Sequence, residues 1–74
     1  MCLSLPAQII KIEGQMAEVS LGGAIFQAGL HMVENVKVGD YILLHAGFAI
    51  QKISENEALE TINLLKEMYD SENQ

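Results

Sequence analysis

The chain has 74 residues, half of them hydrophobic and 19% charged, with a single proline, which is enough for one small domain and too apolar for intrinsic disorder. The one cysteine, Cys2, excludes an intramolecular disulfide, and no Cys/His cluster exists to hold a structural zinc. Four basic residues against ten acidic ones give a net charge of −6, which sets the chain against nucleic-acid phosphates and anionic lipid. No apolar run approaches the ~20 residues of a spanning helix, and no basic-then-apolar leader opens the chain. A lone cysteine near the N-terminus suits a reducing compartment. The expected location is cytoplasmic, with neither nucleic acid nor membrane as partner.

In chain order, residues 1–6 form an N-terminal arm carrying Cys2, and Pro6 suits the start of a strand because it has no amide to donate. A first strand is expected over Ala7–Glu13, then a tight turn at Gly14-Gln15. Met16–Leu21 alternates, with Ala17, Val19 and Leu21 on one face and Met16, Glu18 and Ser20 on the other. Gly22-Gly23 can supply positive φ at both central positions of a hairpin turn. A third strand is expected over Ala24–Val33, with Phe26, Ala28, Leu30 and Met32 inward, Gln27, Gly29 and His31 outward, and a bulge at Gly29.

Val38-Gly39-Asp40 reads as a turn before the apolar strand Tyr41–His45, and Gly47 separates that strand from a last one over Phe48–Lys52. Five short strands leave open edges unless the sheet curls on itself. The expected fold is therefore mainly β, a small five-stranded OB-like barrel over residues 7–53 with a C-terminal α-helix over 54–70 and a tail over 71–74. Exposed strand edges and an apolar arm also suit a weak homodimer.

The helix has a start signal in Ser54-x-x-Glu57, a capping box, flanked by Ile53 and Ala58 at the positions of a hydrophobic staple. Ala58, Ile62, Leu65, Met68 and Tyr69 recur at helical spacing and make a stripe suited to covering the barrel, or to docking a partner helix.

The nucleotide, zinc and redox motifs are absent: no P-loop, no G-x-G-x-x-G, no C-x-x-C and no H-E-x-x-H. So small a barrel leaves little room for a substrate pocket, and the chain is not expected to be an enzyme. Cys2 is either an incidental small hydrophobe or, once Met1 is removed, a terminal thiol whose pKa the neighbouring α-ammonium depresses. A thiolate is a soft ligand for iron, zinc or copper(I), but one ligand does not hold a metal tightly, so a partner must supply the rest. His31 reads as a solvated strand residue. His45 closes an apolar strand and is either a satisfied half-buried imidazole or a second donor near Cys2.

Met1-Cys2-Leu3-Ser4-Leu5-Pro6 resembles the M-C-L-[AGS]-[IVL]-P start of the HypC/HupF family of [NiFe]-hydrogenase maturation chaperones. Val38 to Ile50 resembles that family's G-D-Y-[VI]-L-[VI]-H-[VA]-G-F-A segment. Gly22-Gly23 matches its central hairpin, and Glu57-Ala58, Glu60-Thr61 and Leu64-Leu65 are similar to its C-terminal helix. Ala7, Ser20 and Gln27 depart from residues common in the family.

The resemblance implies an OB-like barrel with a C-terminal helix, removal of Met1, and Cys2 as an iron ligand. It implies HypD as the partner with which the Fe(CN)2CO group is assembled, using cyanide supplied through HypE and HypF. Delivery would follow, to the precursor of the hydrogenase large subunit. Cys2 would contact both partners in turn, with Leu3, Leu5 and Pro6 beside it as docking residues and His45 a second, less certain, metal-site residue. The alternative is an OB-type module that binds nucleic acid or another protein without metal transfer. Nucleic acid would need a basic groove and stacking aromatics, whereas only Phe26, Tyr41, Phe48 and Tyr69 are present. A thiol redox enzyme built on Cys2 would lack a resolving cysteine.

Overall fold

The alternating segments fold as strands, and their turns decide where each begins and ends. The computed structural model describes the backbone of residues 4–72 and the side chains of residues 4–64. The elements are β1 (Leu5–Glu13), β2 (Met16–Leu21), β3 (Ala24–Gly29), β4 (Tyr41–His45), β5 (Phe48–Ile53) and α1 (Glu55–Glu72). The strands close into a barrel in the order β1-β2-β3-β5-β4, the five-stranded OB-like arrangement expected. Gly22 and Gly23, at φ 58° and 88°, give the β2–β3 hairpin the left-handed pair of a type I′ turn, whose twist matches the strands it joins.

β1 carries the closure. Its first half pairs with β4, from Leu5↔Leu44 to Gln8↔Tyr41, and its second half with β2, from Gln8↔Ser20 to Glu13↔Met16. A register shift between Ile9 and Lys11 bends the strand between its two neighbours, and a second shift between Leu43 and Leu44 bends the β4–β5 pair. The interior holds Ala7, Ile9, Ala17, Val19, Ala28, Leu30, Ile42 and Ala49, all buried. The alanines let five strands approach closely, and Ile9, Val19 and Ile42 fill the space between them.

Two strand limits differ from expectation. β1 starts at Leu5, so Leu5 and Pro6 belong to the sheet rather than to an arm. β3 ends at Gly29 instead of Val33: the Leu30 amide still donates to the Gln15 carbonyl at 2.8 Å, in line with the β2–β3 register, but the chain turns at His31-Met32 directly after it. The inward face expected for β3 holds for Ala28 and Leu30. It fails for Phe26, 45% exposed at the barrel mouth, and for Met32, 64% exposed beyond the strand. No bulge falls at Gly29; the phenyl ring of Phe48 lies there, its Cδ1 2.8 Å from where a Cβ would stand.

The turn at Val38-Gly39-Asp40 is tied to the barrel on both sides. Ile9 donates to the Asp40 carbonyl and Gly39 to the Ile9 carbonyl, each at 2.8 Å. The Asp40 carboxylate accepts from the Lys37 amide at 2.9 Å and from the Lys52 ammonium at 3.3 Å. The Lys37 amide, and after it Lys52, hold the Asp40 carboxyl below the usual aspartate range against the opposing pull of partial burial. A depressed folded pKa stabilises above the unfolded range, and that stabilisation is lost as pH falls below about 4. Wild type should therefore melt above Asp40→Asn at pH 7, and the gap should narrow as pH falls below about 4. A gap that does not change as pH falls below about 4 would mean that the carboxylate's charge is not what matters.

The helix begins as its capping box requires. The Glu57 amide donates to Ser54 Oγ at 3.1 Å, and the Ser54 amide donates to Glu57 Oε1 at 3.3 Å. Ile53 and Ala58, the staple pair, are both buried. α1 packs on β1 and β4 through the side that carries Ala58, Thr61 and Ile62. The rest of the expected stripe, Leu65, Met68 and Tyr69, lies outside the described side chains. Among the described residues, no helix is long and apolar enough to cross a membrane.

Candidate functional site

The pairing of β1 with β4 brings the two conspicuous sequence segments together. Leu5, the first residue of β1, stands opposite Leu44, the residue before His45. The end of β1 that leads to Cys2 thus meets the end of β4 that carries His45. Cys2 and Leu3 themselves lie outside the described residues.

His45 is half-buried and pairs with Phe48 across the turn Ala46-Gly47. Both turn residues have positive φ, 52° and 87°, the left-handed pair of a type I′ hairpin. Gly47 adopts this freely and Ala46 at a cost of about 1 kcal/mol, so the turn beside His45 stores strain. Replacing Ala46 with glycine should relieve it and stabilise the fold slightly, by up to about 0.5 kcal/mol net of the freedom glycine adds to the unfolded chain. A higher urea midpoint would show this; a lower one would mean that the alanine methyl makes a contact worth more than the strain.

Phe48 faces outward beside His45 and packs on Gly29, where β5 meets β3. His31, expected on a strand, sits in the turn after β3, its ring edge-on to Phe48 at 6.0 Å and 69°. Phe48 thus contacts the His31 ring and is the cross-strand partner of His45. Sequence inspection missed this use of Phe48 and Gly29. The available signal was a glycine inside a strand, which marks either a bulge or a close approach; here it marks the close approach.

The other expected site residues fall as follows. Leu5 is half-buried opposite Leu44. Pro6, expected among the partner-binding residues, is one of the most fully buried side chains, exposed by less than 2%. Among the described residues no group of three His, Cys, Asp or Glu side chains gathers to hold a metal ion. A shallow depression of about 180 Å³, mostly open to solvent, is lined by Lys11, Glu13, Met16, Ala17, Glu18 and Gln27 and includes none of the expected site residues.

The architecture is a small five-stranded OB-like barrel with a C-terminal helix, in which the start of β1 lies beside the end of β4 that carries His45. A profile of the HupF/HypC family matches residues 1–65. The hydrogenase maturation factor HypC of Azotobacter chroococcum is 41% identical over 69 residues, covering 92% of this chain and 82% of the relative. That of Rhizobium leguminosarum is 41% identical over 68 residues, covering 90% and 91%, and that of Synechocystis is 42% identical over 74 residues, covering 92% and 97%. This chain belongs to the HupF/HypC family. Its relatives are named for hydrogenase maturation and not for a catalysed reaction, in keeping with the expectation that it is not an enzyme.

Proposed function

We propose that this chain is a [NiFe]-hydrogenase maturation chaperone that takes up the Fe(CN)2CO group with HypD and delivers it to the hydrogenase large-subunit precursor. The observation that supports this most is the β1–β4 register, which pairs Leu5 with Leu44, the residue before His45. Three residues of chain span at most about 11 Å, which bounds the reach of Cys2 from Leu5. Removal of Met1 leaves Cys2 as the terminus, and the adjacent ammonium raises its thiolate fraction at neutral pH. A soft thiolate and a borderline imidazole are the donors that low-valent iron accepts.

Iron is cargo in this scheme. Three of its positions are filled by the diatomic ligands, Cys2 supplies a thiolate, His45 is the candidate second donor, and HypD supplies the remainder. Sharing the coordination lets one partner's ligands replace another's, which a closed four-ligand site would resist. Leu3 and Leu5 are the apolar residues nearest the thiol in sequence, and Pro6 is buried within β1. The thiol must stay reduced between loadings, which places the activity in the cytoplasm.

Complementation tests the reading. In a host lacking its own copy of this factor, the chain should restore hydrogenase activity and processing of the large-subunit precursor, and Cys2→Ala should restore neither while accumulating as folded protein. Restoration by Cys2→Ala would remove the thiol from the mechanism. Failure of both chains would show only that the host's partners do not accept this relative, so the test is run with the cognate HypD co-expressed.

A further inference from the structure

We propose that the free edge of β3 is a self-association surface and that its occupant is a second copy of this chain. β3 pairs with β2 along its whole length, from Met16↔Gly29 to Leu21↔Ala24, but meets β5 only at Gly29↔Phe48. Residues 24–27 therefore have a neighbour on one side only, among the described residues.

The direction of their backbone groups follows from the hairpin. Leu21 and Ala24 flank a two-residue turn and exchange hydrogen bonds, so alternation sends the N–H and C=O of Ala24, Phe26 and Ala28 toward β2. Those of Ile25, Gln27 and Gly29 point the other way. Gly29 bears this out, since its amide donates outward to the Gly47 carbonyl at 2.9 Å. Among the described residues nothing takes up the outward groups of Ile25 and Gln27. All four residues of this stretch are exposed, Ile25 by 53% and Phe26 by 45%. The edge carries no charge and no proline, and no described element covers it, so it lacks the usual protections against pairing.

A second copy fits this edge in one register. An antiparallel pairing with its two-fold axis at Phe26 sets Ile25 of each copy opposite Gln27 of the other. Every outward N–H and C=O of these two residues is then used. The same axis places the two Phe26 residues in the non-hydrogen-bonded position, where cross-strand side chains approach most closely. The contact is isologous and closes at two copies. Charge permits it despite the net −6, because the residues of the edge are neutral and the nearest acid on the paired strand is Glu18, opposite Gln27. Four residues from each copy bury well under the ~1,200 Å² of a stable interface, so the pairing is weak, with a Kd on the order of 0.1–1 mM. None of this rests on the iron-carrying reading.

The test uses the Cys2→Ala chain, so that no intermolecular disulfide contributes. Sedimentation equilibrium from about 10 μM to 1 mM should show the mass rising from one chain toward two, as that Kd requires. Amide exchange at Ile25 and Gln27 should slow over the same range. Phe26→Lys, which brings two cations together on the axis, should weaken association at least about tenfold, whereas Val38→Lys, at an exposed site off this edge, should leave it unchanged. A chain that stays single at 1 mM overturns the proposal. Protected Ile25 and Gln27 amides would then mean that residues 1–3 cover the edge, and freely exchanging ones that it serves a different protein. A dimer indifferent to Phe26→Lys, with both amides unchanged, overturns it as well.

Discussion

Ile42→Ala should cost the fold about 3 kcal/mol, within the range for isoleucine truncation in a closed core. Ile42 is fully buried in β4, opposite Ala7 of β1 and Lys52 of β5, and packs in a core whose other members are largely alanine. Alanine side chains have no rotamers with which to fill the space, so the cavity would persist instead of collapsing. A 74-residue domain has a total stability of roughly 4–11 kcal/mol, and the loss takes a large share of it. The thermal midpoint should fall by roughly 12–24 °C, whereas Ile25→Ala, at an exposed edge, should move it by no more than a few degrees. A loss below about 1 kcal/mol for Ile42→Ala would mean that the barrel interior is not the close-packed core described.

His45→Gln should leave the fold and partner docking intact while weakening iron retention in the complex with HypD. The residue sits at a strand end, half-buried, so glutamine preserves its size and its capacity for a hydrogen bond but not a ligand nitrogen. Loss of an outer-shell partner alone typically costs 10–100-fold in metal affinity, so loss of a direct ligand should cost at least about tenfold. Release of iron to a chelator, followed in the purified complex, measures this. Equal release from both proteins would assign His45 to the structure of the hairpin and leave the metal to Cys2 and HypD.

What could be read from the chain was what local chemistry specifies. Gly22-Gly23 marks a I′ turn because no other pair adopts that backbone as cheaply, and Ser54-x-x-Glu57 marks a helix start because two amides there need acceptors. The strand–helix division and the closed barrel followed from those signals. The end of β3 did not, because Leu30 and Met32 continue the alternation after the chain has left the sheet. What ends the strand is set elsewhere in the chain: β2, its partner, begins only at Met16, and Phe48 packs on Gly29.

The same limit applied to the site. The N-terminal segment and the segment around His45 were each conspicuous, but their meeting depends on which strand β1 pairs with, a register set by the whole barrel. Pro6 was legible as a strand-start residue, and the strand begins one residue before it: β1 makes no pairing with β2 until Gln8, and a residue without an amide is tolerated where one side of the strand is unpaired.

If the terminal thiol of this chain is a ligand of the proposed iron cargo, its loss should empty the complex with HypD of iron. Anaerobic co-purification with HypD, native against Cys2→Ala, tests it most directly, with iron counted and the infrared region of metal-bound CO and cyanide recorded on both complexes. The account predicts iron and both sets of bands in the native complex and their loss in the variant, with the two proteins still bound to each other. Equal iron and unshifted bands in both complexes would contradict it, leaving this chain as a docking platform and the iron as HypD's own.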